Sequence, residues 1–507
     1  MCLIPSRAIL LLSLCLGLGT LGTCQHKQGT ERFNELELEV KGLIEDFHAA
    51  GLAIGVVEKG RVSYAAGFGY RDVEKKLPVD IRTTFGIGSV TKAFTAGLLG
   101  ILEEKGKLTL GDRPQQHIAE LAFFDSVMNK EIQIKHLLSH SSGVGQMSSE
   151  SSCILFGSTD RNALIAKLKF LPPAAGVGES FMYSNAMYTL VGIVGERITG
   201  NSWEENIGNL IFKPLAMEDS RVGYLAASTA PNFAYGYSVL EENQPGRVLP
   251  EDIATRAPGG DIYSSVRDMT KWVSAWLQEG KYQRKQLLPI DYVREAMSAQ
   301  QSMNTNGNSD VPSSSYGYGW MSSNFYGYRR VEHSGAISGY TSNVVLFPAN
   351  ELGIIVLSNQ SNSSLPNLVA RLFIDELLSI ERDSTDLAVV RYSQIYPLDT
   401  LNMATSIDPG EPPTHALTQF VGDYFHPGYG KLRIHFEEGV LLAEFPFTTF
   451  RLIHEGGNVF GSAFTENIPQ LMSPFLDFTF QPEKEKQETT LLINLGEEPV
   501  TFVRVSN

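Results

Sequence analysis

Apolar residues recur at three- and four-residue spacing over residues 35–47, which predicts a helix, and then give way to an unbroken apolar run at 53–57. The turn-forming residues Glu58-Lys59-Gly60-Arg61 separate that run from a second one at 62–66, so a β-hairpin follows the helix. Over residues 90–104 the positions Val90, Phe94, Leu98, Ile101 and Leu102 return to helical spacing, and Gly106 supplies a stop. Residues 112–280 read as helical patches, such as 162–170 and 268–277, between loops rich in Gly, Pro and Ser. Strand-like runs return at 329–332, 341–347 and 353–358, with Pro348-Ala-Asn350 as a turn, and a helical stretch at 365–378 closes the unit. Strands at both ends with helices between them predict an α/β (α+β) fold. One antiparallel sheet joins the N- and C-terminal segments, and a helical region is inserted between them.

Periodicity breaks at 407–413, Ile-Asp-Pro-Gly-Glu-Pro-Pro, which reads as a linker. Beyond it Leu432, Ile434 and Phe436 alternate with polar residues, Glu437-Glu-Gly439 turns the chain, and 440–445 and 489–494 are strand-like. The expected division is a leader at 1–24, a main domain at 33–382, a linker at 383–415 and a small all-β domain at 416–507. The leader has one positive charge before Ala8, an apolar run to Leu21 and then Gly22-Thr-Cys24, the layout of a secretory signal peptide cut before Gln25. The run is short for a membrane span, which takes about 20 apolar residues. Leu21-Gly-Thr-Cys24 also distantly resembles a bacterial lipoprotein box, so a lipid anchor on Cys24 is a rival to free secretion.

Composition fits an ordinary globular protein. Of 507 residues 43% are hydrophobic and 19% charged, enough for a sizeable core spread over more than one domain. Cys2 and Cys15 leave with the leader, and Cys153 and Cys24 cannot make a disulfide framework. The formal charge of -15 argues against nucleic acid or an anionic membrane as partner. Asn359-Gln-Ser361 and Asn362-Ser-Ser364 are adjacent N-glycosylation triplets.

The candidate chemistry begins at Ser89-Val-Thr-Lys92, the only Ser-x-x-Lys in the chain. A spacing of three puts both side chains on one face at the start of the 90–104 helix, where free N–H groups favour a developing negative charge. Serine becomes a nucleophile only when a base takes its proton, and lysine serves as that base only when its pKa is depressed. Composition alone scatters about two such motifs over this length, so Ser89 as a mere helix cap is the alternative. Tyr183-Ser-Asn185 adds a phenol that can exchange protons and an amide that can orient lysine and substrate, on a loop entering a helix. His333-Ser-Gly335-Ala336, at the start of a strand, adds a histidine able to give a proton near neutral pH. It also adds a glycine that lets substrate lie along the strand and a following N–H for an oxyanion. No histidine shows zinc-enzyme spacing, and no cofactor is expected.

In order and spacing these three motifs resemble those of the class C β-lactamase and penicillin-binding-protein-like serine hydrolases. Leu137-Leu-Ser-His140-Ser-Ser-Gly143 and Pro258-Gly-Gly260-Asp-Ile-Tyr-Ser264 are similar to that family's structural signatures, with His140 read as loop structure. Phe420-Val-Gly-Asp-Tyr424 and Gly428-Tyr-Gly-Lys-Leu432 resemble the β-domain often appended to these enzymes. The resemblance implies an acyl-enzyme mechanism on a small-molecule or peptide amide or ester. Ser89 attacks, Lys92 and Tyr183 share the base role, and the N–H groups of Ser89 and Ala336 form the oxyanion hole. His333 stands where β-lactamases and transpeptidases carry lysine, which makes β-lactam chemistry the poorer expectation. Because relatives of the family include proteins of calcified shell, a catalytically idle extracellular matrix protein is the alternative.

Overall fold

The computed structural model describes residues 31–144, 160–239, 244–250, 253–303, 314–381, 411–446, 448–464, 476–482, 489–495 and 499–505. The leader with Cys2, Cys15 and Cys24, the residue Cys153, and most of the expected linker lie outside them.

Helix α1 (Asn34–Asp46) buries Leu36, Val40 and Leu43, as its spacing requires. The hairpin is longer than the two apolar runs suggest: β1 spans Gly51–Glu58 and β2 Arg61–Asp72. Helix α2 (Thr91–Glu104) buries twelve of its fourteen residues. Helix α3 (Asn185–Thr199) and helix α4 (Val266–Leu277) come from the inserted region. Strands β3 (Tyr328–Ile337), β4 (Tyr340–Phe347) and β5 (Leu352–Ser358) return to the sheet, and α5 (Leu365–Leu378) covers it together with α1.

The sheet order among the described residues is Gln301–Ser302, Ser314–Tyr316, Met321–Phe325, β3, β4, β5, β1, β2, Leu77–Pro78, with antiparallel neighbours throughout. The pairing of β1 with β5, in register from Leu52 opposite Ser358 to Glu58 opposite Leu352, joins the two ends of the domain. The expected single sheet with a helical insertion is therefore the observed architecture. Its apolar faces separate two cores, because successive strand side chains point to opposite sides. Ile54, Val56, Val345 and Ile354 meet α1 and α5, whereas Ala53, Val57, Val344 and Ile355 meet the inserted helices.

One strand assignment changes. The sequence places His333 at a strand start, yet β3 begins at Tyr328 and carries His333 to Ala336 within it. Its pairing with Met321–Phe325 stops at Glu332, so beyond that point one edge has no strand partner among the described residues.

A chain of polar contacts fixes the segment that leads to Ser89. The buried Asp268 carboxylate on α4 accepts the N–H groups of Asp219 and Ser220, at 2.7 and 3.0 Å, and the Ser220 hydroxyl at 3.0 Å. Ser220 in turn contacts the Ser264 hydroxyl at 2.8 Å. Ser264 sits on the short strand Ile262–Ser264, which pairs with Phe85–Gly86. A buried carboxylate is tolerated because it is this fully bonded.

The C-terminal region is all-β, as its alternation indicates, and it closes. Eight strands form a barrel in which Gly422–His426 pairs with both Gly430–Glu437 and the last strand, Val500–Val505. Tyr424, Leu432, Ile434, Phe480, Leu491 and Phe502 fill it, with Phe420 stacked on Phe480 at 4.5 Å.

Candidate active site

Ser89 lies on a single 3-10 turn, Gly88–Val90, that runs directly into α2. It does not cap the helix, since the capping position belongs to Val90 and no side chain bonds there. Its hydroxyl instead meets the Lys92 amine at 3.0 Å. The spacing of three does what the sequence expects of it.

Lys92 is fully buried. Its Nζ donates to the Asn185 side-chain oxygen at 2.7 Å and to the Gly259 carbonyl at 2.8 Å. Burial, with the charge of Arg256 adding to it, holds the amine well below the ordinary lysine value. A neutral amine has two hydrogens and one lone pair. The amide oxygen and the carbonyl can only accept, so they take the two hydrogens. The lone pair is then left for the one neighbour able to donate, Ser89.

Tyr183 precedes α3, and Asn185 is the first residue of that helix, whose capping Ser184 accepts the Met187 N–H. The Lys92 amine stands 4.8 Å from the centre of the Tyr183 ring. Burial pushes the Tyr183 phenol far above its usual value, although a hydrogen bond with Ser89 pulls the other way. Tyr183 therefore stays a phenol. It can pass a proton, but it is a poor resting base, so the expected sharing of the base role shifts to Lys92.

Strand β3 presses on the serine turn. A β-carbon on Gly88, which has φ +51°, would stand 2.5 Å from the Ala336 nitrogen. The Ala336 backbone is thus adjacent to the residue before Ser89, and Ala336 is exposed. At Gly335 a β-carbon would overlap the Ile87 carbonyl oxygen and the Ser342 hydroxyl. That hydroxyl donates to the same carbonyl at 2.8 Å. Gly335 is therefore small to admit the protein's own backbone rather than substrate, a correction to the sequence expectation.

His333 also departs from expectation. Its Nδ1 lies 2.6 Å from the Ser334 carbonyl and must donate to it, which leaves Nε2 to accept from the Tyr316 hydroxyl at 2.9 Å. Burial, reinforced by Lys92, pushes its pKa down to about 3. With both nitrogens committed and the ring buried, His333 brings neither a proton nor a positive charge to the cleft near neutral pH.

The two glycosylation candidates separate as well. The Asn359 side chain is buried and donates to the carbonyls of Tyr70 and Tyr235, at 3.1 and 2.9 Å, so it cannot hold a glycan in the folded protein. Asn362 is exposed.

The structure adds residues that the motifs do not reveal. Gly259 binds Lys92 through its carbonyl, and a β-carbon on it would sit 3.3 Å from the Asn185 oxygen and 3.6 Å from the amine. The neighbouring Pro258 carbonyl accepts from Thr95 on α2 at 2.7 Å. The signature around Pro258 thus braces the lysine, and its adjacent glycines are the only hint of this in the sequence. Tyr316 and Arg256 carry no local motif. Among the described residues no group of three or more His, Cys, Asp or Glu could hold a metal ion, and no helix is long and apolar enough to cross a membrane.

The profile of the Beta-lactamase family matches residues 39–378, which span the whole sheet domain except its edges. The chain belongs to the β-lactamase family. It is a serine hydrolase of that family, with a second match at 407–502 to a domain of unknown function, DUF3471. Among similar proteins, Protein flp of Staphylococcus aureus (strain N315) is 26% identical over 383 residues, covering 75% of this chain and 74% of the relative. The Unguisins hydrolase ungD of Aspergillus violaceofuscus is 27% identical over 449 residues, or 82% of this chain and 78% of that protein. The octameric penicillin-binding protein homologue from Pyrococcus abyssi shares the fold with a TM-score of 0.61 at 23% identity, covering 93% of this chain and 99% of that one.

Gly335→Ala tests the close approach of strand and serine turn. The added methyl must push β3 away from Ile87, so the rate of Ser89 labelling by a fluorophosphonate should fall by about 10²-fold. An unchanged labelling rate would show that the contact does not set the site.

Proposed function

We propose that this family member hydrolyses an amide, ester or peptide bond through an acyl-enzyme on Ser89. The observation that carries the reading is the disposition of Lys92, whose buried Nζ lies 3.0 Å from the Ser89 hydroxyl and within hydrogen-bond distance of the Asn185 and Gly259 oxygens, so that a neutral amine donates to those two and keeps its lone pair for Ser89. In this scheme Lys92 takes the Ser89 proton as the hydroxyl oxygen attacks the carbonyl carbon. The N–H groups of Ser89 and Ala336 receive the oxyanion that develops on the carbonyl oxygen. The Tyr183 phenol relays the proton to the departing nitrogen or oxygen. Water then enters by the reverse path: Lys92 takes its proton as its oxygen attacks the acyl carbon, the bond from that carbon to Ser89 breaks, and Lys92 returns the proton to the departing Ser89 oxygen. Neither step calls on a metal or cofactor. The uncharged His333 offers no fixed cation for a substrate carboxylate, which favours small esters, amides and peptides over β-lactams. The similar protein named as an unguisin hydrolase supports hydrolysis as the activity of this site.

Labelling with a fluorophosphonate tests the scheme. Ser89→Ala should abolish it, and Lys92→Ala should slow it by about 10²- to 10⁴-fold, the usual worth of a positioned general base. A wild-type chain that never reacts would contradict the enzyme reading and favour an idle extracellular protein.

We also infer secretion, from the leader and the acidic charge. Intact mass of the protein from a eukaryotic secretory host should show a chain beginning at Gln25, no lipid, and a glycan lost on Asn362→Gln. A mass retaining residues 1–24, or a glycan surviving that substitution, would overturn the assignment.

A further inference from the structure

One fully buried imidazole has no part in the scheme above. His140 follows the helix Ile134–Leu138, with φ +56°, and its ring lies beneath Tyr183 with the ring centres 4.3 Å apart. Its Nδ1 lies 3.1 Å from the Ser184 nitrogen and accepts that N–H. The hydrogen of a neutral ring is then on Nε2, which is buried and has no hydrogen-bond partner among the described residues. The backbone of His140 acts on the same loop, because its carbonyl accepts the Met182 N–H at 2.7 Å. One residue thus holds Met182, Tyr183 and Ser184 in succession, by carbonyl, ring face and ring nitrogen.

The surroundings explain why a histidine can do this uncharged. Tyr316 and Tyr188 pack against the ring with centres at 4.7 and 5.0 Å, and Phe181 meets it edge-on at 5.7 Å. Lys92 and His333 are the other titratable groups that bear on it, and both oppose a positive charge there, adding to the effect of burial. No carboxylate takes part. The imidazole is a rigid, neutral plate with one acceptor aimed at the backbone beside the phenol.

We propose that His140 is a positioning residue for Tyr183, setting the phenol hydroxyl on Ser89 during proton transfer to the leaving group. The proposal rests on the acyl-enzyme reading and gives the Leu137-Leu-Ser-His140 segment a part in the chemistry, where the sequence shows loop structure only. The phenol hydroxyl is the far end of a lever pinned at its root. A small tilt of the ring moves that hydroxyl off the serine, and misplacements of about 1 Å cost up to about 10²-fold in rate.

The test is a double-mutant cycle between His140 and Tyr183, read as turnover of an alkyl ester such as ethyl butyrate, whose departing oxygen needs a proton, with the fluorophosphonate probe reporting that Ser89 is still reactive. His140→Ala removes ring and acceptor. His140→Asn keeps a side-chain acceptor and tolerates the left-handed backbone, so it serves if the alanine variant does not fold. In the Tyr183 background either variant should lower kcat by about 10- to 10²-fold with little change in KM. In the Tyr183→Phe background the same change should cost less than about twofold, because the hydroxyl it positions is already gone. Equal losses in both backgrounds, or no loss in either, overturn the proposal while leaving the hydrolase reading intact. A wild-type chain inert to both ester and probe overturns that reading and this proposal with it.

Discussion

Everything at the site depends on burying one lysine amine where, among the described residues, no carboxylate pairs with it. Water is removed from Lys92, and the two groups that replace it, the Asn185 amide oxygen and the Gly259 carbonyl, are dipoles rather than charges. An isolated ammonium in such a place would be strongly disfavoured, so the amine gives up its proton instead. Burial thereby weakens the amine as a base but frees its lone pair for the Ser89 proton.

The fold can be understood as the apparatus that keeps those partners in place. Asn185 arrives on the first turn of α3 and Gly259 on the segment that Thr95 of α2 ties down through Pro258. The strand Ile262–Ser264 carries this segment on to Phe85–Gly86, and Asp268 anchors it from α4. From the other side β3 closes on the serine turn, at a distance that only Gly88 and Gly335 allow. Three parts of the chain, distant in sequence, must all be correct before the lone pair points at the hydroxyl. The uncharged imidazoles of His140 and His333, both held neutral by burial, add no charge of their own near the amine.

How much of this the sequence reveals follows from the range of each interaction. Ser89 and Lys92 are three residues apart on one helix, and their contact is a matter of local geometry. The tyrosine and asparagine two residues apart are likewise local, and the two-residue period exposes the strands. The joining of β1 to β5 was legible because both runs are apolar and lie at opposite ends of one domain. The roles of Gly335 and His333 were not, since they depend on Ile87 and Tyr316, which reach them only through the tertiary fold. Asn359 carries an acceptor triplet in sequence, yet its amide is spent on two backbone carbonyls far along the chain. Closure of the C-terminal barrel was hidden for a similar reason. Alternation marks strands, whereas closure requires Gly422–His426 to find Val500–Val505, and nothing local records that pairing.

Activation of Ser89 depends on the protonation state of Lys92. The direct measurement is an NMR titration of the folded protein labelled with carbon-13 at lysine Cε, with the Lys92 signal assigned by its loss in Lys92→Arg. The geometry predicts one lysine signal that titrates well below the ordinary value of 10.5, because burial and Arg256 both oppose its charge. A Lys92 signal that titrates with the surface lysines would mean that the amine is charged beside Ser89, and the base assigned here would be the wrong one.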